Sequence, residues 1–117
     1  MNVKPFFLTL FFSFVFLSCM RKDEVPNHIL PIPKMAHILL DIHLAESKVN
    51  SFRLMTMDSV ATLYKTYESR IFQKHKITDS IYKKSYRFYA AHPELLDQVY
   101  GIVVDSLSAR LTTLRID

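Results

Sequence analysis

The residue types best suited to chemistry in this sequence lie in Asp41-Ile-His43-Leu-Ala-Glu46. On a helix, a three-residue spacing brings an imidazole and a carboxylate to one surface, an arrangement that can share a metal ion or pass a proton. A metal centre needs three or four ligands, and the second half of the chain offers only His75 and His92, neither in a matching pair. His37 and Asp41 lie one turn apart on a different, more exposed face. The expectation is therefore structural. Glu46 falls inside the apolar stripe between Met35 and Leu39, with His43 at its rim, and a carboxylate so placed needs a partner. Arg70, a tyrosine hydroxyl or His43 would each serve. No nucleophile elbow, P-loop, C-x-x-C pair or metalloprotease motif occurs, and a chain with one glycine has no Gly-rich phosphate loop. No catalytic residue, metal or cofactor is expected, and the chain is not read as an enzyme. Catalysis would require His43 and Glu46 to face a pocket with further ligands.

Tyrosine and positive charge give a second pattern. Four of the six tyrosines lie between Tyr82 and Tyr100, beside Lys74, Lys76, Lys83, Lys84 and Arg87. Lys83, Lys84 and Arg87 share the helical face opposite the tyrosines and form a candidate contact face. Anionic headgroups or an acidic partner could meet it, at about 1 kcal/mol per cation near a charged membrane surface. The simpler reading is a solvated face, with the tyrosines as core residues whose hydroxyls reach the rim. Nucleic acid is not an expected partner.

The compartment is written near the start, where Phe6 to Leu17 is almost wholly apolar. Twelve helical residues reach about 18 Å against a bilayer core of roughly 30 Å, so this run cannot span. Lys4, the apolar stretch and the small residues after it match a secretory signal, residues 1–18. Phe16-Leu17-Ser18-Cys19 resembles a bacterial lipobox, with Phe where Leu is commonest; Cys19, the sole cysteine, would be lipidated and become the new N-terminus. Stable anchoring takes more than one acyl chain, which such processing supplies. The expected location is the cell envelope, as an outer-membrane lipoprotein facing the periplasm or the cell surface. Met-Arg-Lys-Asp-Glu behind Cys19 resembles surface-export signals of Bacteroidota lipoproteins. Residues 19–33, with Pro26, Pro31 and Pro33, read as an extended tether.

Removing 18 of 117 residues leaves 99, and Lys4 leaves with them, so 14 basic and 11 acidic residues remain at a net +3. That is one small domain with one core, residues 34–117, and a charge too mild to argue for nucleic acid. The periodicities predict an all-α fold, a small antiparallel bundle of about four helices. The first starts near Met35 behind Pro33 and turns Met35, Ile38, Leu39, Ile42, Ala45 and Val49 to one side. A second spans roughly 58–75, capped by Asp58 or Ser59, with Val60, Leu63, Tyr64, Tyr67, Ile71 and Phe72 inward. Thr78 or Asp79 caps a short third helix, and His92-Pro93-Glu94 opens a fourth. Its seam is Leu96, Tyr100, Val103, Leu107, Leu111 and Leu114, interrupted by Gly101 either for a close neighbour or by tolerance.

ILLDIHLAES, YESRIFQKHKIT and SYRFYAAHPELLDQVYGIVVDSL, behind a lipobox and a Pro-containing tether, together resemble the Bacteroidota lipoproteins grouped as domain-of-unknown-function family 4296. The likeness covers roughly Pro33 to Leu107. It implies an all-helical envelope domain and no established activity, so it assigns no catalytic residue. In that family the position of Lys76 is often glycine, so the second helix is expected to stop less sharply here.

Two roles follow as expectations. The first is a lipid-anchored, non-catalytic binding or scaffold subunit of an envelope assembly, with the membrane and an envelope protein as partners. The alternative is a periplasmic chaperone-like module that binds peptides. A large exposed apolar groove would favour the chaperone, and a compact bundle with a limited patch would favour the docking subunit.

Overall fold

The structure, a computed structural model, describes residues 24–52 and 55–116. The signal segment 1–18 and Cys19 lie outside the described residues. Among the described residues there are four helices: α1 Ile32–Asn50, α2 Met57–His75, α3 Asp79–Ala91 and α4 Pro93–Ile116. It is an all-α bundle. No helix among the described residues is long and apolar enough to cross a membrane.

The centre is α1, and its composition explains why. Met35, Ala36, Ile38, Leu39, Leu40, Ile42, Ala45 and Val49 are all buried, a stripe too broad for one neighbour to cover. Accordingly α2 packs on one side of α1 and α4 on another, while α3 packs against α4. Asp41 meets His75 and Lys48 lies over Tyr67, so α1 and α2 run antiparallel. The core is completed by Ile71 and Phe72 from α2, Tyr89 from α3, and Leu95, Val99 and Val103 from α4.

The tether is shorter than its prolines suggest. Ile29 and Leu30 are buried in the core and Val25 packs against it. The Leu30 N–H donates to Ser85 Oγ at 3.0 Å, and the Tyr89 hydroxyl donates to the Leu30 carbonyl at 2.6 Å. Proline removes a donor but does not stop neighbouring apolar side chains from burying. The helix also starts earlier than Met35: Pro31 is its cap residue and Pro33 lies inside the first turn, where a missing N–H costs nothing.

Local chemistry sets the remaining boundaries. Thr56, rather than Asp58 or Ser59, caps α2, its Oγ1 accepting the Ser59 N–H at 3.3 Å. Thr78 caps α3 in the same way through the Ile81 N–H. The second helix does not fade: it stops sharply at Lys76, which is left-handed at φ 55° and ψ 44°. The Ile77 N–H reaches the Phe72 carbonyl at 3.0 Å and the Lys76 N–H reaches that of Gln73 at 3.1 Å, a Schellman closure built without glycine. At the α3–α4 joint the His92 ring stacks on Phe88, and its Nδ1 donates to the Phe88 carbonyl at 2.7 Å.

In α4 the first two inward positions are shifted by one from the expected seam: Leu95 and Val99 are buried in place of Leu96 and Tyr100, while Val103 is buried as expected. Leu96, Tyr100 and Leu107 are partly buried and packed against the core. Leu111 and Leu114 are exposed. Because Leu95 and Leu96 are both leucine, sequence spacing left this register open. Apart from its chain neighbours and its own helix backbone, no atom lies within 4 Å of where a Gly101 Cβ would stand, so that glycine is tolerated and not required.

Candidate functional site

The expected His43 and Glu46 pair forms, but it is not buried. His43 Nδ1 and Glu46 Oε2 are 3.1 Å apart, with side chains 40% and 44% exposed. The three-residue offset on α1 brings them together, and of the expected partners for Glu46 it is His43 that makes the bond. Glu46 lies at the edge of the stripe rather than within it, so its carboxylate keeps its water and needs no deep network.

Tyrosines from three helices surround this pair. The His43 ring lies 6.1 Å from that of Tyr100 on α4, and Tyr82 on α3 stacks obliquely between Phe72 and Tyr86. Burial first, then the carboxylates of Glu68 and Glu46, push the Tyr64 hydroxyl up to about 12. Burial also raises Tyr82, aided by its neighbours Tyr64 and Tyr86, and raises Tyr100, aided by Tyr86 and Glu46. These phenols stay protonated at neutral pH and act as hydrogen-bond donors. Such a cluster can grip an acceptor or brace the bundle.

The more enclosed ion pair is one that spacing assigned to an exposed face. Asp41 Oδ2 accepts from His75 Nε2 at 2.7 Å and from Lys74 Nζ at 2.8 Å, and the Asp41 and His75 side chains are each 15% exposed. Burial of the Asp41 carboxyl opposes ionisation, yet hydrogen bonds and charge from Lys74 and His75 outweigh it and hold its pKa below the ordinary value of 3.8. This bond clips the end of α2 to the middle of α1 across 34 positions of sequence. Nothing local in the sequence announces it.

Beside that clip, between α1 and α2, lies an open groove of about 280 Å³. Leu44, Ala45, Tyr67 and Ile71 form its apolar floor, with Lys48, Arg70 and Lys74 on its rim. The Lys48 ammonium sits 5.8 Å from the centre of the Tyr67 ring. Arg70, a candidate holder of Glu46, lines this groove instead. Among the described residues, no three His, Cys, Asp or Glu side chains gather as a metal ion would require.

Lys83, Lys84 and Arg87 are all exposed on α3, as the sequence suggests. Lys83 is paired one turn back with Asp79 at 2.9 Å. One of the three cations is therefore partly neutralised.

A family model described as Domain of unknown function (DUF4296) matches residues 26–113. The chain belongs to this family. The match begins at Pro26, so the DUF4296 domain includes the buried Ile29 and Leu30 along with nearly all of α1 to α4. Comparisons with curated proteins and with solved structures return no match.

Proposed function

We propose that this chain is a lipid-anchored cell-envelope protein whose DUF4296 domain is a non-catalytic binding or scaffold subunit of an envelope assembly. The anchor is Cys19 behind a cleaved signal, and the membrane is the outer membrane, on its periplasmic face or at the cell surface. The observation that carries the binding role is α4. Beyond Val103 none of its described side chains is buried, yet Val104, Leu111 and Leu114 are 57%, 64% and 74% exposed. A bundle with a filled core and a run of large apolar side chains left in water has a surface to offer.

The chaperone-like alternative has less support. The apolar floor between α1 and α2 bounds about 280 Å³, at the small end of ligand sites, and the roomier groove of about 490 Å³ on α2 is lined by polar and charged side chains, Thr62, Lys65, Thr66, Ser69, Arg70 and Gln73.

The deciding experiment is purification of the tagged, lipidated protein from its own membranes in mild detergent, with Cys19→Ser as control. A stoichiometric envelope partner, lost or redistributed when Cys19→Ser frees the domain from the membrane fraction, supports the docking subunit. Many substoichiometric unfolded barrel proteins would favour the chaperone. Retention of Cys19→Ser in the membrane would remove the lipid anchor from the reading.

A further inference from the structure

The character of the docking partner can be read from the distal part of α4, given the docking role above. This helix has 24 residues, about 36 Å, and the last buried one among its described side chains is Val103. Val104, Leu107, Leu111 and Leu114 continue along it at spacings of three, four and three, and all but Leu107 are exposed. That alternation is the a and d pattern of a heptad seam. At 100° per residue the four side chains occupy roughly 80° of the helix, narrower than the stripe a globular core or a bilayer surface selects. A seam of that width fits one other helix.

Charge says which kind. On the same projection Arg115 borders one edge of the stripe and Arg110 the other, and both are exposed with no ion-pair partner among the described residues. Two copies of this helix would bring four arginines to their shared seam, with Asp117, one heptad after Arg110 in sequence, the one acid that follows on that flank. A second copy is thereby disfavoured, and flanking carboxylates are favoured. The overhang also needs support, because a helical end of this length packed on the core only at Leu107 is marginal in water and carries three β-branched residues, Val104, Thr112 and Thr113.

We infer that residues 104–115 of α4 dock an amphipathic helix of a partner protein, with leucine-like side chains at its own a and d positions and Asp or Glu flanking them. The partner helix buries Val104, Leu107, Leu111 and Leu114 and pairs its acids with Arg110 and Arg115.

The test uses the full chain in phosphatidylcholine nanodiscs and a labelled three-heptad peptide with Leu at a and d and Glu at e and g, against the same peptide with Lys at e and g. Anisotropy should show saturable binding about tenfold tighter for the Glu peptide, the scale of one to two good contacts. The double variant Leu111→Ser with Leu114→Ser should weaken it by about tenfold with thermal unfolding unchanged, because these side chains are in water in the free protein. Arg110→Glu with Arg115→Glu should invert the preference towards the Lys peptide. Equal binding of both peptides, or indifference to these variants, would overturn the proposal. So would sedimentation showing a dimer that depends on Leu111 and Leu114, or capture by phosphatidylglycerol vesicles that depends on them, since the occupant would then be a second copy or a membrane. If the peptides fail while a stoichiometric partner still co-purifies from membranes, this face is wrong and the docking role stands; if no partner co-purifies, the docking role itself falls.

Discussion

The Tyr89 hydroxyl donates to the carbonyl of Leu30 at 2.6 Å, across 59 positions of sequence and wholly inside the core. One turn earlier on α3, Ser85 Oγ accepts from the N–H of the same residue. Both backbone groups of Leu30 are thus satisfied by side chains of one short helix. Without them the strap ahead of α1 would bury an orphan donor and acceptor.

Tyr89→Phe should therefore destabilise the fold by about 1–3 kcal/mol, because it leaves a buried carbonyl without its partner while preserving the ring. Urea denaturation of Tyr89→Phe, Ser85→Ala and the double variant checks it. Less than additive loss is expected, since either deletion loosens the same residue.

Asp41→Asn should cost about 1–2 kcal/mol at neutral pH, bonds to charged groups being worth roughly 1.5–3 kcal/mol and Lys74 being largely in water. Its folded pKa lies below the unfolded 3.8, so the carboxylate's contribution is complete above that value and is lost as pH falls through the folded one. Denaturant midpoints for the wild type should drop below about pH 4, and Asp41→Asn should flatten the part of that fall due to this group.

Glu46→Ala should cost at most about 1 kcal/mol, in contrast, because an exposed pair is screened and holds little. Thermal unfolding should be insensitive to added zinc. A large loss, or stabilisation by zinc, would contradict the open geometry of His43 and Glu46.

Lys76→Gly should stabilise the protein by about 0.5–1 kcal/mol, relief of the left-handed strain exceeding the entropy that glycine adds to the unfolded chain. The gain should show as a raised melting temperature with an unchanged helical signal.

Gly101→Ala should also stabilise, by about 1 kcal/mol, as the added methyl meets open space inside a helix. A loss measured by urea denaturation would mean that a neighbour approaches α4 more closely than it does here.

Most of the architecture was readable before any coordinates. Continuous 3.6-residue stripes, Thr78 and His92-Pro93 mark helices and joints through local rules, and local rules survive folding. Three things were not readable, each for a physical reason. Met57 is exposed at the start of α2 and stands off the apolar stripe that begins at Val60, so the stripe points to a start one or two residues late and to Asp58 or Ser59 in place of Thr56 as the cap. Leu95 and Leu96 satisfy two registers equally, and only the position of α1 chooses between them. Asp41 with His75, and Leu30 with Tyr89, join distant segments, and spacing carries no information about such pairs. Ile29 and Leu30 did leave a trace, two adjacent apolar residues between prolines, which the prolines outweighed. At the candidate site the His43 and Glu46 contact was legible from its offset, while its exposure depended on how far α2 and α4 wrap around α1.

The burial of Ile29 also fixes the length of a leash. With Cys19 as the membrane-held end, ten residues separate it from the first core side chain, an outer reach of roughly 33–36 Å. Had the free chain continued to Pro33, it would have had four more residues and about 14 Å more reach. Under the proposed anchoring at Cys19, the outer reach, about the length of α4, would set how far Ile29 can stand from the lipid headgroups. Within that reach a partner held on the same membrane would meet α4 at an effective concentration set by the leash length together with the partner's own surface density, which raises the occupancy of a weak contact.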